Sequence, residues 1–281
     1  MHFRLDCCIA PVLILLVGCN EQQPRPRPAP PPEPRRTLRL VTYNVLANRR
    51  HADARFPALI REIKTADPDV VALQECTPEF LKALQADAAF KDFDIARPPD
   101  TPVPYRGLCL LARLPLRQVT AKPLTSKQSR GVLLADLAVN GRIMRLGVVH
   151  LDSFLELHAE RTQQLKEVLA LLAGADDQVL LGDFNFGDGE QPESKVLPNR
   201  FRDAWVSLHP GKPGYTWDME KSSMARAGAF PGESSRRLDR VLVASPRWQP
   251  GAAQIIGDRE IAKGLFPSDH FGLVVELSRQ K

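Results

Sequence analysis

The sequence lacks the signatures of several large protein classes. It has no glycine repeat of fixed period and no sustained heptad, which excludes collagen-like chains and coiled coils. Only one long apolar run is present, at the extreme N-terminus, so a protein with several membrane spans is also excluded. Hydrophobic residues make up 43% and charged residues 25% of the 281 residues, which is typical of a folded globular chain.

Several common catalytic signatures are missing as well. There is no GxSxG nucleophile turn, no GxxxxGKS phosphate-binding loop and no CxxC pair of metal or redox type. Of the 5 cysteines, only Cys76 and Cys109 lie in the body of the chain, and their apolar surroundings predict two buried free thiols. The formal charge of +5 and the isoelectric point of about 9.0 permit a polyanionic partner but do not require one.

The first residues, 1–18, have the composition of a signal peptide. Arg4 provides a positive charge, and residues 9–17 form an apolar stretch that is too short to span a bilayer. The ending Leu16-Val17-Gly18-Cys19 resembles a bacterial lipobox, which implies cleavage before Cys19 and a lipid on that cysteine, outside the cytoplasm. Asn20, directly after it, favours the outer membrane. An uncleaved anchor and an ordinary secretory signal are the alternatives.

The pattern changes twice after the signal. Residues 19–36 are rich in proline and arginine and predict an extended tether. Residues 37–281 then read as one domain of alternating strands and helices. The predicted strands cover 38–43, 69–74, 107–112, 131–139, 142–150, 179–182, 238–243 and 273–277, and the predicted helices 54–66, 79–89 and 158–172. Asn140-Gly141 predicts a two-residue hairpin between two of these strands.

Polar side chains occur where the buried strands end or begin. The residues concerned are Asn44, Glu75, His150, Asp183, Asn185, Asp239, Asp269 and His270. Strand ends at one edge of a sheet can bring distant residues into one cleft, and loops there carry function. Oxygen-rich, sulfur-poor sets suit Mg²⁺ or Mn²⁺, and a metal with carboxylates and histidines suits hydrolysis of phosphate esters.

The short motifs T-Y-N, L-Q-E, H-L, G-D-F-N, L-D-R and S-D-H, in this order, resemble the endonuclease/exonuclease/phosphatase superfamily from Leu38 to Leu277. The later half resembles its type-2 tyrosyl-DNA phosphodiesterase branch, through residues 150–153, 159–161, 214–218 and 266–273. The resemblance implies an α/β fold, a four-layered α/β/β/α sandwich of two packed mixed sheets flanked by helices. It also implies a Mg²⁺-dependent phosphodiesterase or nuclease, with Mn²⁺ as the alternative ion.

The same resemblance assigns roles to single residues. Glu75 is similar to the family's metal-binding carboxylate, assisted by Asn44 and Asp269. Asn44 is also counted among the catalytic residues. The expected partners are a phosphate ester such as nucleic acid or a 5′-phosphotyrosyl-DNA-like molecule, and a membrane reached through the lipid; the chain itself is expected to be a monomer.

The remaining catalytic roles follow in the same way. Asp183 is similar to the aspartate that positions or deprotonates the attacking water, and Asn185 to the residue that holds the phosphate. His270 is similar to the residue that stabilises the phosphoryl oxygens. Asp239 is expected to pair with its other nitrogen, and His150 occupies the place of a further phosphate contact.

Two features qualify the resemblance. The tyrosyl-DNA branch has an arginine after its G-D-x-N motif that touches nucleic acid, and here that place is Gly187. Trp217 could line the substrate groove or belong to the core. A phosphomonoesterase, a sphingomyelinase-like phospholipase and a non-catalytic surface binding lipoprotein are therefore the competing hypotheses.

Overall fold

Twelve strands and six α-helices form the part of the chain that this computed structural model describes, residues 34–280. The strands are β1 (Thr37–Asn44), β2 (Val70–Gln74), β3 (Asp94–Ile95), β4 (Cys109–Ala112), β5 (Leu116–Pro123), β6 (Gly131–Val139), β7 (Arg142–His150), β8 (Asp177–Asp183), β9 (Arg202–Asp203), β10 (Asp239–Ala244), β11 (Trp248–Ile256) and β12 (Gly272–Arg279). The helices are α1 (Ala52–Thr65), α2 (Pro78–Ala86), α3 (His158–Leu172), α4 (Glu193–Val196), α5 (Ala204–Leu208) and α6 (Ser223–Gly228). The predicted signal peptide, the lipidation site Cys19 and most of the tether lie outside the described residues.

The strands form two six-stranded sheets with one parallel pair near the middle of each. The first sheet has the order β11-β12-β1-β2-β4-β3, and the second has the order β5-β6-β7-β8-β10-β9. Strands β1 and β2 pair in parallel in the first sheet, and β7 and β8 do so in the second. The other pairs are antiparallel, so both sheets are mixed, as predicted.

The apolar residues sort into layers. The inner faces of the two sheets share one core, in which Leu40 and Leu110 of the first sheet join Leu146 and Leu181 of the second. Helices α1 and α2 cover the outer face of the first sheet, and α3 covers that of the second. This arrangement confirms the predicted four-layered α/β/β/α sandwich. Among the described residues, no helix is long and apolar enough to cross a bilayer.

The sequence pattern located the buried strands better than the edges. Strands β6 and β7 and helix α3 have the predicted bounds, and the turn residues Asn140 and Gly141 have φ of +51° and +74°. The edge strands β5 and β11 were not predicted, because β5 exposes most of its residues, β11 buries only its two end residues, and each carries an irregularity in register. The second helix ends at Ala86 rather than at residue 89, since residues 88–90 form a separate 3₁₀ turn.

The topology brings the carboxyl ends of both parallel pairs to one place. Asn44 ends β1 opposite Gln74, and His150 ends β7 opposite Asp183. Asp239, at the start of the antiparallel strand β10, is the other neighbour of Asp183. Parallel strands expose their carboxyl ends at the same edge, which is where open α/β sheets place ligands. The fold therefore gathers the polar strand ends that the sequence predicted.

Candidate active site

Asp183 lies at the centre of the site and is 1% exposed. Its Oδ2 accepts a hydrogen bond from Asn44 Nδ2 at 3.0 Å and lies 3.4 Å from His150 Nε2 and 3.8 Å from His270 Nε2. Its Oδ1 accepts the backbone N–H of Asn185 at 3.0 Å. Burial by itself raises the pKa of Asp183. The charges of His270 and His150 and the two hydrogen bonds outweigh burial, so the pKa of Asp183 is below its usual range. Asp183 is therefore a carboxylate despite its burial.

His270 and Asp239 form a buried pair on one side of Asp183. Asp239 Oδ2 lies 2.8 Å from His270 Nδ1, as the sequence predicted. Burial lowers the pKa of His270, but the negative charges of Asp239 and Asp183 outweigh it and raise the pKa to about 10. The ring of Trp217 packs 4.9 Å from the His270 ring. His270 is consequently an imidazolium at neutral pH, held by a carboxylate and an aromatic ring.

Trp217 is a core residue that also contacts the site, and its place in a substrate groove stays a prediction. It is only 7% exposed and belongs to a small apolar cluster, yet it contacts the site through His270. Its indole Nε1 is buried and has no hydrogen-bond partner within the described part of the chain. A buried indole usually finds an acceptor, so this donor is available to a bound group.

His150 has the opposite environment on the other side of Asp183. Arg130 Nη1 lies 3.0 Å from His150 Nδ1. A guanidinium can only donate, so Nδ1 accepts, and the ring proton resides on Nε2, which faces Asp183. Burial first and the charge of Arg130 second lower the pKa of His150 to about 4. His150 is therefore a neutral donor.

Arg130 was missed by sequence analysis. It precedes β6 and belongs to none of the short motifs, so neither the buried strand ends nor the motif set pointed to it. Its Nη2 also donates to Ser153 Oγ at 3.2 Å, and its Nε lies 4.0 Å from Asp152 Oδ1 without a hydrogen bond among the described residues. The one available signal was an arginine directly before the apolar residues 131–135.

Glu75 and Asp269 form the acidic edge of the site beside Asn44. Asn44 Nδ2 donates to Glu75 Oε1 at 3.2 Å, and the Ala47 N–H donates to Glu75 Oε2 at 3.0 Å. Burial raises the pKa of Asp269, and the charge of Glu75 raises it further. Glu75 has φ of +54°, a left-handed conformation that non-glycine residues avoid unless the structure imposes it.

Two neighbouring groups have the chemistry to hold a metal ion. Ligand atoms of Asp183, Asp239 and His270 lie within 4.8 Å of one another. An imidazolium has no free lone pair, however, so His270 is a poor ligand while its pKa stays near 10. Glu75 and Asp269 are two half-buried carboxylates whose charges repel, and hard oxygens of this kind suit Mg²⁺. The predicted set of Glu75, Asn44 and Asp269 therefore fits the ion chemically, and it stays a prediction.

The G-D-F-N segment positions Asn185 rigidly. Asn185 has φ of +54°, and its Nδ2 donates to the Leu151 carbonyl at 2.9 Å. A β-carbon at Gly187 would lie 2.6 Å from Glu190 Oε1 and 3.4 Å from Arg236 Cδ. These two side chains thus cover the place where the tyrosyl-DNA branch carries arginine. All eight polar residues that were named from the strand ends lie in this one region. Cys76 and Cys109 are buried free thiols, as predicted.

Comparison with known sequences identifies the family of this arrangement. Residues 41–270 match the model of the "Endonuclease/Exonuclease/phosphatase family". Tyrosyl-DNA phosphodiesterase 2 of Mus musculus is 31% identical over 220 residues, which is 75% of this chain and 58% of the relative. The protein of the same name from Danio rerio is 27% identical over 282 residues, covering 94% of this chain and 73% of the relative. The chain thus spans just under three fifths of the mouse relative's length.

Solved structures show the same fold. The crystal structure of D. rerio TDP2 complexed with a single-strand DNA product superposes with a TM-score of 0.75 at 25% identity, covering 86% of this chain and 99% of that one. Sphingomyelinase C from Streptomyces griseocarneus has a TM-score of 0.62 at 18% identity, covering 85% and 99%. The second likeness concerns the fold alone.

Proposed function

Because the chain belongs to the endonuclease/exonuclease/phosphatase family, we propose that it is a divalent-metal-dependent phosphodiesterase acting on single-stranded nucleic-acid ends, including 5′-phosphotyrosyl ends. The observation that carries this proposal is the central carboxylate Asp183, which lies between a neutral and a cationic histidine. The relatives named tyrosyl-DNA phosphodiesterase and the neighbour with a single-strand DNA product support the substrate class.

Asp183 positions and deprotonates the attacking water. It is ionised and buried, and the hydrogen bond from Asn44 Nδ2 holds its Oδ2 in a fixed direction. A base must lie within hydrogen-bond reach of the proton that it removes. Because its pKa is lowered, Asp183 orients the water and accepts its proton only as the phosphorus–oxygen bond forms.

His270 stabilises the charge that develops on the phosphoryl group. Its Nδ1 is occupied by Asp239, so its Nε2–H faces the site as a cationic donor. Preorganised donors of this kind act most strongly where water is excluded, and Trp217 covers the ring. On the other side Asn185 binds the phosphate, and His150, as a neutral donor, makes a further contact with it.

The acidic edge would bind the metal ion. Glu75, with Asn44 and Asp269, would hold Mg²⁺, which adds positive charge next to the non-bridging oxygens of the substrate when bound. Two observations favour this edge: the mutual repulsion of Glu75 and Asp269, and the strained backbone that presents Glu75. Mn²⁺ offers the same octahedral oxygen chemistry.

A cavity of about 830 Å³ next to Asp269 provides room for the polyanionic chain of the substrate. Its lining includes Arg50, His51 and Lys263, all exposed, together with apolar side chains such as Met224. Neither Arg50 nor Lys263 has an ion pair among residues 34–280, so both are free to bind phosphate. We define Arg50 and Lys263 as the cationic rim.

The experiment that tests the proposal compares two oligonucleotides. The full chain, in detergent, is given a single strand bearing a 5′-phosphotyrosine and the same strand with a plain 5′-phosphate, with Mg²⁺ or with a chelator. We expect Mg²⁺-dependent release of tyrosine from the first strand. Shortening of both strands would make the protein a general nuclease. No reaction with either strand would contradict the nucleic-acid substrate, and turnover of sphingomyelin or Mg²⁺ binding without any turnover would then identify the phospholipase or the binding protein.

The membrane location is a separate proposal. We propose that a lipid on Cys19 anchors the protein to a bacterial membrane outside the cytoplasm, as the lipobox-like sequence Leu16-Val17-Gly18-Cys19 predicts. Cys19→Ser should move the protein from the membrane to the soluble fraction, or leave its signal uncleaved. Cys8→Ser, within the signal, is the matched control and should change neither. Membrane binding of a processed Cys19→Ser protein would contradict the lipid anchor.

A further inference from the structure

Two phenylalanines on different loops meet beside the site. Phe154 follows β7, Phe230 follows α6, and their ring centroids are 5.4 Å apart at an interplanar angle of 74°. Phe154 is 42% exposed, which makes it one of the few large apolar side chains at the surface, and Phe230 is half-buried. We call this pair the aromatic rim. An aromatic pair that stays exposed offers ring surface to a bound molecule.

Both loops are held by hydrogen bonds, so the aromatic rim is preformed. The buried side chain of Arg161 donates to the carbonyls of Phe154 at 2.7 Å and Leu155 at 3.1 Å. The N–H of Phe230 donates to Glu233 Oε2 at 2.9 Å, and the Glu233 N–H returns a bond to the Phe230 carbonyl at 3.0 Å. A rigid aromatic surface loses little conformational freedom when a ligand stacks on it.

Short contacts connect the aromatic rim to the catalytic centre. Ser153, which precedes Phe154, accepts a hydrogen bond from Arg130, and Arg130 donates to His150 beside Asp183. On the other loop Gly228, two residues before Phe230, lies against Trp217: a β-carbon at Gly228 would be 3.2 Å from the indole. Phe154 thus follows directly on a residue that is bonded to the site, and Phe230 lies two residues after one that packs against Trp217.

Three arginines near this side of the site are paired with carboxylates. Arg236 binds Glu190 and Glu233, and both Arg237 and Arg240 bind Asp188 and Asp203. Gly187 adds no charge where the tyrosyl-DNA branch has arginine. Three arginines facing four carboxylates repel a phosphate backbone rather than attract it.

We propose that Phe154 and Phe230 form a stacking platform for the nucleobase next to the scissile phosphate, so that this chain holds its substrate by a base on one side and by phosphates at the cationic rim on the other. The inference rests on the proposed function and deepens it. Bases stack on aromatic side chains with little sequence preference, because every base has a π-face. Stacking replaces here the ionic contact that Gly187 cannot make.

The test changes the protein and the substrate, each alone and both together. Hydrolysis of a 5′-phosphotyrosyl single strand is measured for the full chain, for Phe154→Ala with Phe230→Ala, and for Phe154→Leu with Phe230→Leu. Each protein is given the normal strand and the same strand with an abasic site at the first nucleotide. Val206→Ala, which removes another exposed apolar side chain on α5, is the matched control.

We expect the alanine pair to raise KM for the normal strand roughly tenfold with kcat almost unchanged, and to leave the abasic strand unaffected. The leucine pair, which keeps apolar bulk without a ring, should fall in between. Equal losses on the normal and abasic strands, or no loss on either, would overturn the platform. A loss confined to sphingomyelin vesicles would assign the aromatic rim to a lipid surface instead. If the unmodified protein hydrolyses neither strand, the proposed function fails first.

Discussion

The two sides of Asp183 carry the same residue type in opposite states. His150 ends β7 and His270 precedes β12, both are buried, and both point Nε2 toward the same carboxylate oxygen. Yet the pKa of His150 is lowered to about 4, and that of His270 is raised to about 10. Burial disfavours the charge of both, so it does not explain the difference.

The group at the far nitrogen decides the state of each ring. Arg130 donates to Nδ1 of His150, whereas Asp239 accepts from Nδ1 of His270. A cation at that position holds the imidazole neutral, and a carboxylate holds it charged. One carboxylate thereby receives a neutral donor and a cation from opposite sides, an asymmetry that suits attack on one face of a phosphate and charge stabilisation on another.

Asp183→Asn removes the centre of the comparison and should have the largest effect. The amide keeps the size of the side chain, but it cannot take the proton of the attacking water. We expect kcat to fall by about 10²–10⁴-fold with KM little changed, measured on the 5′-phosphotyrosyl strand.

Asp176→Asn is the matched control, since Asp176 is an exposed carboxylate paired with Arg247 away from the site. Activity of Asp183→Asn within a few-fold of the unmodified protein would remove Asp183 from the chemistry.

Buried strand ends disclosed Asn44 and Asp183 in the sequence, and the motifs L-D-R and S-D-H disclosed Asp239 and His270. Arg130 belongs to neither class. The parallel pairs β1/β2 and β7/β8 place their carboxyl ends together, so an acid or amide after a buried strand is recognisable from the pattern alone. Arg130 comes from the start of β6 and reaches the site only through the antiparallel pairing of β6 with β7. The register of β6 against β7 depends on the tertiary structure, so a local sequence pattern does not predict it.

The edges of the sheets were unpredictable for a related reason. A buried strand must be apolar, whereas β5 and β11 lie at sheet edges and satisfy no strict alternation. The rim phenylalanines were equally hidden, because an exposed Phe154 in a loop has meaning only when Phe230 is known to lie beside it. Local patterns thus predicted the centre of the fold and of the site, and missed what depends on contacts between distant segments.

Asp239→Asn should make the cationic side resemble the neutral one. Without that negative charge, the raised pKa of His270 falls from about 10 toward its usual value, because burial then acts with less opposition. Activity should drop about tenfold to a hundredfold at pH 8, and the alkaline limb of the kcat profile should move to lower pH.

Asp136→Asn, which weakens an ion pair with Arg145 elsewhere in the second sheet, controls for lost stability. An alkaline limb that stays in place while activity falls would show that Asp239 does not act through the charge of His270.

Arg130→Met is the converse change on the neutral side. Burial still lowers the pKa of His150, but the second cause is gone, so the pKa should rise from about 4 toward the ordinary range. Each unit of that rise changes the protonation ratio tenfold. We expect the His150 ring to titrate at higher pH in NMR spectra.

We also expect activity at pH 5.5 to fall about tenfold more than activity at pH 8. Arg145→Gln, in the first half of β7 and five residues before His150, should leave both unchanged. An unaltered His150 titration in Arg130→Met would contradict the contact inferred from geometry.

The smallest expected effect is on stability, and its sign differs between the two histidines. The folded protein binds a proton at His150 only near pH 4, whereas an unfolded chain does so near 6.5, so acidification from 6.5 to 4 favours unfolding. His270 acts in the opposite sense: its raised pKa stabilises the fold fully below 6.5, and this contribution is lost as pH rises through about 10. Each slope is at most about 1.4 kcal/mol per pH unit, or roughly 3–5 °C in Tm.

Plots of Tm against pH should therefore be flatter for His150→Gln than for the unmodified protein between pH 4 and 6.5, and flatter for His270→Gln between pH 6.5 and 10. Parallel curves in both ranges would mean that the two rings carry the same charge, and the asymmetry around Asp183 would be lost.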